Sequence, residues 1–276
     1  MTTPTTMLPV VRATRGSRAG MVANEIVKGL RLRWAYRATV IPELFGAVVM
    51  YLMVQYFVGG GQILDALVED TAPAMFALVV GYGALMRIVS GLLEERNAGT
   101  LEQVHLSSLP TWQLALGRLG AVMVESLLVG TVATACVLVA LRVDYPLDVQ
   151  ALVPLGLMLA GIGGFVLLIA AASFTYPGIG ALVHVIQMLI MMVNGMIVPV
   201  EVFPGWLEAI AKLVPTTLGV AAIRRILTDG DSLADLVIDR SLGWLVLHTA
   251  LLVVAGWAAY QWQVRRALRD GRLGPT

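Results

Sequence analysis

Long stretches without a charged residue divide the chain. Residues 44–64, 71–86, 151–200 and 241–264 contain no Lys, Arg, Asp or Glu, and residues 119–141 contain only one. A helix needs about 20 mostly apolar residues, rising 1.5 Å each, to cross a hydrocarbon core about 30 Å thick. The pattern therefore predicts an all-α integral membrane protein.

These windows predict six spans within a transmembrane domain at 38–264. The longest window holds two spans, because Pro177 and Gly178 supply a tight connection that cannot continue a helix. Gly156, Ala160 and Gly164 recur every four residues in the fourth span and predict a close contact with another helix. The predicted spans are 41–58, 72–92, 117–140, 151–173, 179–199 and 241–262.

Composition agrees with a chain whose solvent is largely lipid. Hydrophobic residues make up 58% and charged residues 13% of the sequence, against roughly 45–50% and about 25% in soluble domains. The net charge of +1 excludes a nucleic-acid-binding protein, which needs a basic face to neutralise phosphates. Cys136 is the only cysteine, so neither a disulfide framework nor a thiolate metal site is expected.

Basic residues flank both ends of the predicted membrane domain. Seven Lys and Arg side chains lie between Arg12 and Arg37, and four Arg side chains lie between Arg265 and Arg272. Basic residues next to spans favour the cytoplasmic side, so both termini are expected there, which requires an even number of spans.

The chain outside the spans divides into three further segments. Residues 1–17 are predicted to be a disordered tail, and residues 265–276 a basic cytoplasmic tail. Residues 18–37 are predicted to be an amphipathic interfacial helix, because apolar side chains recur at helical spacing among basic ones. Such a helix lies in the headgroup plane with its basic side chains toward anionic lipid.

The stretch before the last span is divided by Pro199, Pro204 and Pro215 into pieces too short to cross a membrane. Residues 200–228 are predicted to form two short re-entrant helices that dip into the outer leaflet and return. The alternative is an amphipathic hairpin that lies flat on the surface.

The connection between the second and third spans carries the capping signals of a short helix. Gly99 can take the left-handed conformation that ends the preceding helix, and Thr100 with Gln103 forms a capping box. Ser107–Ser108 interrupts the new helix, and Pro110 suits the first turn of the next one. A short stiff element joined to two membrane helices can pass on a partner's rigid-body motion. The alternative is a structural hairpin without a partner.

Three motifs resemble the ABC-2 type exporter permeases. They are Glu-Glu-Arg-x-x-Gly-Thr-Leu-Glu-Gln at 94–103, Leu-Pro-x-Trp at 109–112 and the Phe-Pro-x-Trp-Leu…Pro-x-Thr series at 203–217. The resemblance implies that residues 101–106 are a coupling helix seated in a groove of a separate ATPase subunit. It also implies that residues 18–37 are a connecting helix touching the same subunit. By resemblance, the ATPase-coupling residues are Glu94, Glu95, Arg96, Gly99, Thr100, Leu101, Glu102, Gln103, His105 and Leu106.

The sequence carries no sign of its own nucleotide chemistry. A phosphate-binding G-x-x-x-x-G-K-[ST] loop needs a Gly-Lys pair, whereas Lys28 follows a Val and Lys212 follows an Ala. The three histidines fall on different segments without an H-E-x-x-H motif, so neither a metal site nor a catalytic residue is expected. The resemblance implies ATP and Mg²⁺ on the partner ATPase, and a second permease copy as a homodimer or paralogous heterodimer.

Polar and methionine side chains in the third and fifth spans are candidates for a substrate path. Charge at membrane depth is costly, so Glu125 is a functional candidate; the alternative is a carboxylate hydrogen-bonded to a neighbouring helix. Methionine is flexible and suits varied apolar ligands, although a methionine stripe also fits lipid or helix packing. His184 is either a proton-linked group or a packing residue. The predicted path consists of Glu125, Gln187, Met188, Met191 and Asn194.

The resemblance implies a multi-pass permease of the bacterial cytoplasmic membrane that works by ATP-driven alternating access. Short outer loops make the chain most similar to daunorubicin-type drug exporter permeases. The expected cargo is therefore a hydrophobic or amphipathic small molecule. The alternatives are export of a polysaccharide, lipid-linked glycan or lipid, and, in another class, a secondary transporter or channel without an ATPase.

Overall fold

The computed structural model describes most of the chain between residues 37 and 270. The described residues are 37–99, 111–176, 179–197, 200 and 203–270, with the isolated positions 20, 27 and 31. The predicted disordered tail, most of the amphipathic helix and the predicted coupling helix lie outside these residues and stay predictions.

The described elements are all helical. In chain order they are α1 (Arg37–Val58), α2 (Asp65–Asn97), α3 (Thr111–Leu141), a 3₁₀ turn (Val149–Ala151), α4 (Leu152–Ser173), α5 (Ile179–Val193), α6 (Gly205–Ala211), α7 (Thr217–Leu227), α8 (Leu233–Ile238) and α9 (Ser241–Asp270).

Five of these helices, α1, α2, α3, α4 and α9, are long and apolar enough to cross a membrane. They confirm five of the six predicted windows as helices. The window predicted at 179–199 contains only the 15-residue helix α5, which rises roughly 22 Å against a hydrocarbon core of about 30 Å. Six crossings therefore remain a proposal.

Helix α5 ends early because the chain turns at Asn194. The Asn194 side-chain oxygen accepts a hydrogen bond from the Met196 N–H at 3.1 Å, and Gly195 adopts a φ of 86°. A side-chain cap of this kind and a left-handed glycine both compete with helix continuation.

Helix α2 lies at the centre of the bundle and packs against α1, α3, α4, α5 and α7. Its buried side chains include Met75, Leu85 and Ile88, each less than 5% exposed. The helix is therefore positioned to transmit movement between its neighbours.

Helices α4 and α9 approach so closely that only glycine fits at their crossing. A Cβ atom on Gly256 would lie 1.9 Å from the Gly164 carbonyl oxygen, and one on Gly164 would lie 2.6 Å from the Leu252 backbone. The predicted close contact is thus confirmed at Gly164. It was wrong at Gly156, where an added Cβ meets no atom within 4 Å.

The region before the last span forms α6 and α7, as the prolines predict, and then α8, which the sequence analysis missed. Ser232 and Asp235 make a reciprocal capping box at the start of α8. Helix α7 packs against α2, α4 and α9. Because Val220 and Ile223 are buried in that contact, α7 lies within the bundle and not on its surface.

Arg225, in the last turn of α7, ties the three helices α7, α8 and α9 together. Its guanidinium pairs with Asp231 at 2.6 Å and with Asp239, and it donates a hydrogen bond to the Ser241 hydroxyl at 3.3 Å. We refer to these four residues as the Arg225 clasp.

Candidate functional site: the C-terminal end of α2, the N-terminal end of α3 and the Arg87 network

Helices α2 and α3 hold the two ends of the predicted coupling segment. The Gly99 N–H donates to the Arg96 carbonyl at 3.1 Å and the Ala98 N–H to the Glu94 carbonyl at 2.9 Å. Gly99 has a φ of 68°, so its prediction as the left-handed residue that ends the helix is confirmed. Thr100, Leu101, Glu102, Gln103, His105 and Leu106 lie outside the described residues.

An ion pair ties α2 and α3 together close to that segment. The Arg118 guanidinium on α3 donates to the Glu95 carboxylate on α2. Glu94 is exposed, and the buried Nη1 of Arg96 has no hydrogen-bond partner among the described residues. The Arg118–Glu95 pair therefore makes the C-terminal end of α2 and the N-terminal end of α3 one braced base.

Deeper in the bundle, Arg87 on α2 joins three helices. It pairs with Glu43 on α1 at 2.6 Å and with Glu125 on α3 at 3.0 Å, and it donates a third hydrogen bond to the Ser126 hydroxyl at 2.9 Å. The Arg87 and Glu125 side chains are each only 14% exposed. We call these four residues the Arg87 network.

The network satisfies charges that would otherwise be costly in an apolar surrounding. An ion removed from water is tolerated when opposite charges and hydrogen bonds replace its hydration. Glu125 is thus a carboxylate hydrogen-bonded to a neighbouring helix, the alternative that the sequence analysis gave for it.

A glycine one turn before Arg87 makes room for its side chain. A Cβ atom on Gly83 would lie 2.3 Å from the Arg87 Nη1. Any larger residue at position 83 would push the guanidinium away from Ser126. The absence of a side chain at Gly83 therefore lets Arg87 reach its partners in the network.

The five residues predicted for a substrate path are not brought together. Glu125 lies in the Arg87 network, Met188 is 64% exposed, and Met191 packs against the core. Asn194 is fully buried and donates to the Ala74 carbonyl at 3.2 Å, which fixes the end of α5 to α2. Gln187 lines a cavity between α2, α4 and α5.

Two functional candidates were missed by the sequence analysis. Arg87 is the centre of a network that joins three helices. The sequence places Arg87, Glu43 and Glu125 in three different predicted spans, which indicates that each needs a partner but not which one. Tyr82 lines the same cavity as Gln187, and its hydroxyl lies 3.4 Å from the His184 Nδ1. In the part of the chain that the structure describes, no three His, Cys, Asp or Glu side chains are grouped to hold a metal ion.

Long apolar helices and a charge network buried among them define a multi-pass helical membrane protein. The model of the ABC-2 type transporter family matches residues 26–228, and the chain belongs to that family. Permeases of this family are components of transporters that work with ABC ATPase partners.

Two curated relatives are similar to the chain. Both are described as probable multidrug ABC transporter permease YbhR, one from Escherichia coli (strain K12) and the other from Escherichia coli O157:H7. Each is 26% identical over 196 residues, covering 70% of this chain and 52% of the relative. The chain thus spans about half the length of the curated relatives it matches.

Proposed function

We propose that the chain is the membrane-spanning permease subunit of an ATP-binding cassette exporter for hydrophobic or amphipathic small molecules. The observation that carries the proposal is the family match over residues 26–228, which includes both the predicted coupling segment and most of the bundle. The multidrug description of the relatives supports this substrate class.

In this proposal, residues 100–106 contact a separate ATPase subunit that binds ATP and Mg²⁺. Residues 98–110 connect helices of 33 and 31 residues, and the Arg118–Glu95 pair braces those helices beside the connection. Closure of two ATPase subunits would move this base as a rigid body, because continuous hydrogen-bonded helices do not absorb the motion.

The Arg87 network would carry that motion from α2 and α3 to α1. Helix α1 follows the predicted connecting helix at 18–37. The two proposed contacts with the ATPase, the coupling segment and the connecting helix, are therefore both continuous with helices that the Arg87 network joins. Two permease copies, both with cytoplasmic termini in the bacterial cytoplasmic membrane, would then alternate between inward and outward exposure. In the same proposal, α6 and α7 enter the membrane from its outer side and return to that side. The burial of α7 in the bundle supports this.

The coupling contact can be tested by co-purification with the ABC ATPase encoded in an adjacent reading frame. Leu101→Asp is expected to reduce the recovered ATPase subunit and its permease-stimulated ATP hydrolysis at least tenfold, because a carboxylate would replace an apolar contact in the groove. Leu147→Asp is the matched control, since Leu147 is 90% exposed in the connection after α3. Unchanged recovery and hydrolysis with Leu101→Asp would contradict the proposed contact.

A further inference from the structure

The C-terminal end of α9 extends beyond the apolar part of the helix. The helix has 30 residues, a length of about 45 Å, whereas the hydrocarbon core of a membrane is about 30 Å thick. Residues 241–264 carry no charge, and Arg265, Arg266, Arg269 and Asp270 follow them. When the apolar part crosses the membrane, this charged end lies at the level of the lipid headgroups.

One side of this end is fixed to the bundle. Tyr260 and Val264 are 2% and 0% exposed, and they belong to the same hydrophobic core as the buried side chains of α2 and α4. The Tyr260 ring also packs edge to face on the Phe174 ring, with the ring centroids 5.6 Å apart. The opposite side of the helix is therefore directed sideways, away from the bundle.

The outward side combines an aromatic ring with guanidinium groups. Trp262, Arg266 and Arg269 share one helix face, because they are spaced by four and three residues, and all three are exposed. The Arg266 guanidinium carbon lies 5.4 Å from the centroid of the Trp262 ring, which is a cation–π distance. Tryptophan is enriched at the boundary between lipid and water, so its ring places Arg266 at that boundary.

The arginines of this face have hydrogen-bond donors to spare. The Arg266 Nε lies 3.7 Å from the Asp270 carboxylate, which is too far for a hydrogen bond, and an exposed ion pair of this kind contributes little. The Arg269 side chain makes no ion pair or hydrogen bond with any residue that the structure describes. Arg265 adds a third exposed guanidinium beside them, so cations outnumber carboxylates here.

The same face continues into the apolar part of the helix. Leu251 is 60% exposed, and Ala255 and Ala258 are exposed small residues between Leu251 and Trp262. An acyl chain can lie along this stretch without meeting a large side chain. Along its length the face therefore changes from apolar to aromatic to cationic, which is the order of chemistry along a phospholipid with a negative headgroup.

We propose that this face of α9, from Leu251 to Arg269, binds an anionic phospholipid. Arg266 and Arg269 donate hydrogen bonds to its phosphate, because the guanidinium fork matches phosphate oxygens. A zwitterionic lipid has the same phosphate but adds an ammonium group that the arginines repel. A lipid fits better than an acidic protein surface, since the face points sideways and is continuous with lipid-facing side chains. The inference goes beyond the proposed export function and requires only that α9 crosses the membrane.

The experiment is site-specific photocrosslinking of the purified full chain in vesicles of equal parts dioleoyl-phosphatidylglycerol and dioleoyl-phosphatidylcholine. The photoreactive residue p-benzoylphenylalanine replaces Trp262, which is 58% exposed, and keeps an aromatic ring beside Arg266. Mass spectrometry then compares the two lipid adducts. The phosphatidylglycerol adduct is expected to exceed the phosphatidylcholine adduct about tenfold, because two arginines favour the negative headgroup.

The same photoreactive residue in place of Leu251 is the positional control. Leu251 lies on the same face but within the apolar part, so both lipids are expected to react there equally. The same preference at positions 251 and 262 would show enrichment around the whole chain and would overturn the proposed site.

Two charge variants complete the test. Arg266→Gln with Arg269→Gln is expected to remove most of the preference at position 262. Arg142→Gln with Arg240→Gln removes the same charge from exposed residues outside α9 and is expected to leave the preference unchanged. Equal adducts of the two lipids at position 262, or a preference that survives Arg266→Gln with Arg269→Gln, would overturn the proposal.

A second set of vesicles, which also contains the ATPase subunit, distinguishes a lipid from a protein partner. An adduct between position 262 and that subunit in place of the lipid would overturn the lipid site. Because the lipid measurement itself needs no ATPase, it is independent of the coupling test with Leu101→Asp, and either proposal can fail while the other stands.

Discussion

At the scale of single residues, one arginine organises the charges inside the bundle. Arg87 satisfies two carboxylates and a hydroxyl from two other helices. Glu125 was recognisable in the sequence as a residue needing a partner, because charge at membrane depth is costly. Its partner was not recognisable, since Arg87 is 38 positions away and local spacing carries no information about contacts at that distance.

Replacing the arginine is expected to destabilise the fold strongly. Arg87→Gln leaves Glu43 and Glu125 without the shared cation, and breaking a buried pair on one side costs roughly 3–5 kcal/mol. Thermal unfolding in detergent micelles should therefore occur at a clearly lower temperature than in the control Arg265→Gln, which removes an exposed arginine from α9.

The triple variant Arg87→Gln, Glu43→Gln, Glu125→Gln is expected to recover much of the loss, because no unpaired charge remains. Equal unfolding temperatures for Arg87→Gln and Arg265→Gln would show that the network does not stabilise the bundle.

At the scale of helices, apolar windows predicted the long elements but not their ends or partners. Five windows became long helices because, in an apolar surrounding, a helix satisfies nearly all of its backbone polar groups internally, and α1 and α2 tolerate an internal proline each. Helix α5 is shorter than its predicted span because the Asn194 side chain caps it and Gly195 takes a left-handed conformation, although the surrounding sequence is apolar. Helix α8 was missed although its capping box, Ser232 with Asp235, stands in the sequence.

The α4–α9 crossing gives a prediction with an internal control. Gly256→Ala would force a Cβ atom against the Gly164 carbonyl, and overpacking typically costs about 1–3 kcal/mol. Gly243→Ala, on the same helix, is the control, because a Cβ atom added at position 243 meets no atom within 4 Å. Gly256→Ala should lower the thermal unfolding temperature, whereas Gly243→Ala should not; the same temperature for both would contradict this crossing.

The Arg225 clasp should open in acid. Hydrogen bonds from the Ser241 N–H and hydroxyl, followed by that from Arg225, lower the pKa of Asp239 from 3.8 to about 2. A carboxylate with a lowered pKa stabilises the fold fully above its unfolded pKa, and this stabilisation is lost as the pH falls through the folded value. The clasp is therefore intact above pH about 4 and weakens toward pH 2.

Pepsin digestion can follow this opening, because pepsin is active across the same range. Cleavage within residues 228–240, relative to cleavage near the exposed Leu147, should rise several-fold between pH 4 and pH 2. In Asp239→Asn it should already be raised at pH 4 and change less, since the carboxylate that accepts hydrogen bonds from Arg225 and from the Ser241 N–H is absent. The same pH dependence in both proteins would contradict the assignment to Asp239.

At the scale of the whole molecule, one central helix, α2, contributes to the braced base, to the Arg87 network and to the contacts with α4, α5 and α7. Glu95 pairs with Arg118 on α3, and Arg87 pairs with Glu43 on α1 and Glu125 on α3. The sequence motifs predicted the cytoplasmic connection, and family membership confirms the resemblance. The packing order of the helices was not predictable, because lipid is as apolar as the side chains and small residues decide which helices approach.

The proposed function requires that this chain moves a solute only when a separate ATPase drives it. This requirement is tested by accumulation of the amphipathic fluorescent dye Hoechst 33342 in inside-out vesicles that contain the chain together with its ATPase. Uptake is expected with ATP and Mg²⁺, and no uptake is expected when the Walker A lysine of the ATPase is replaced. Uptake by vesicles that contain this chain alone, driven by an ion gradient without ATP, would contradict it.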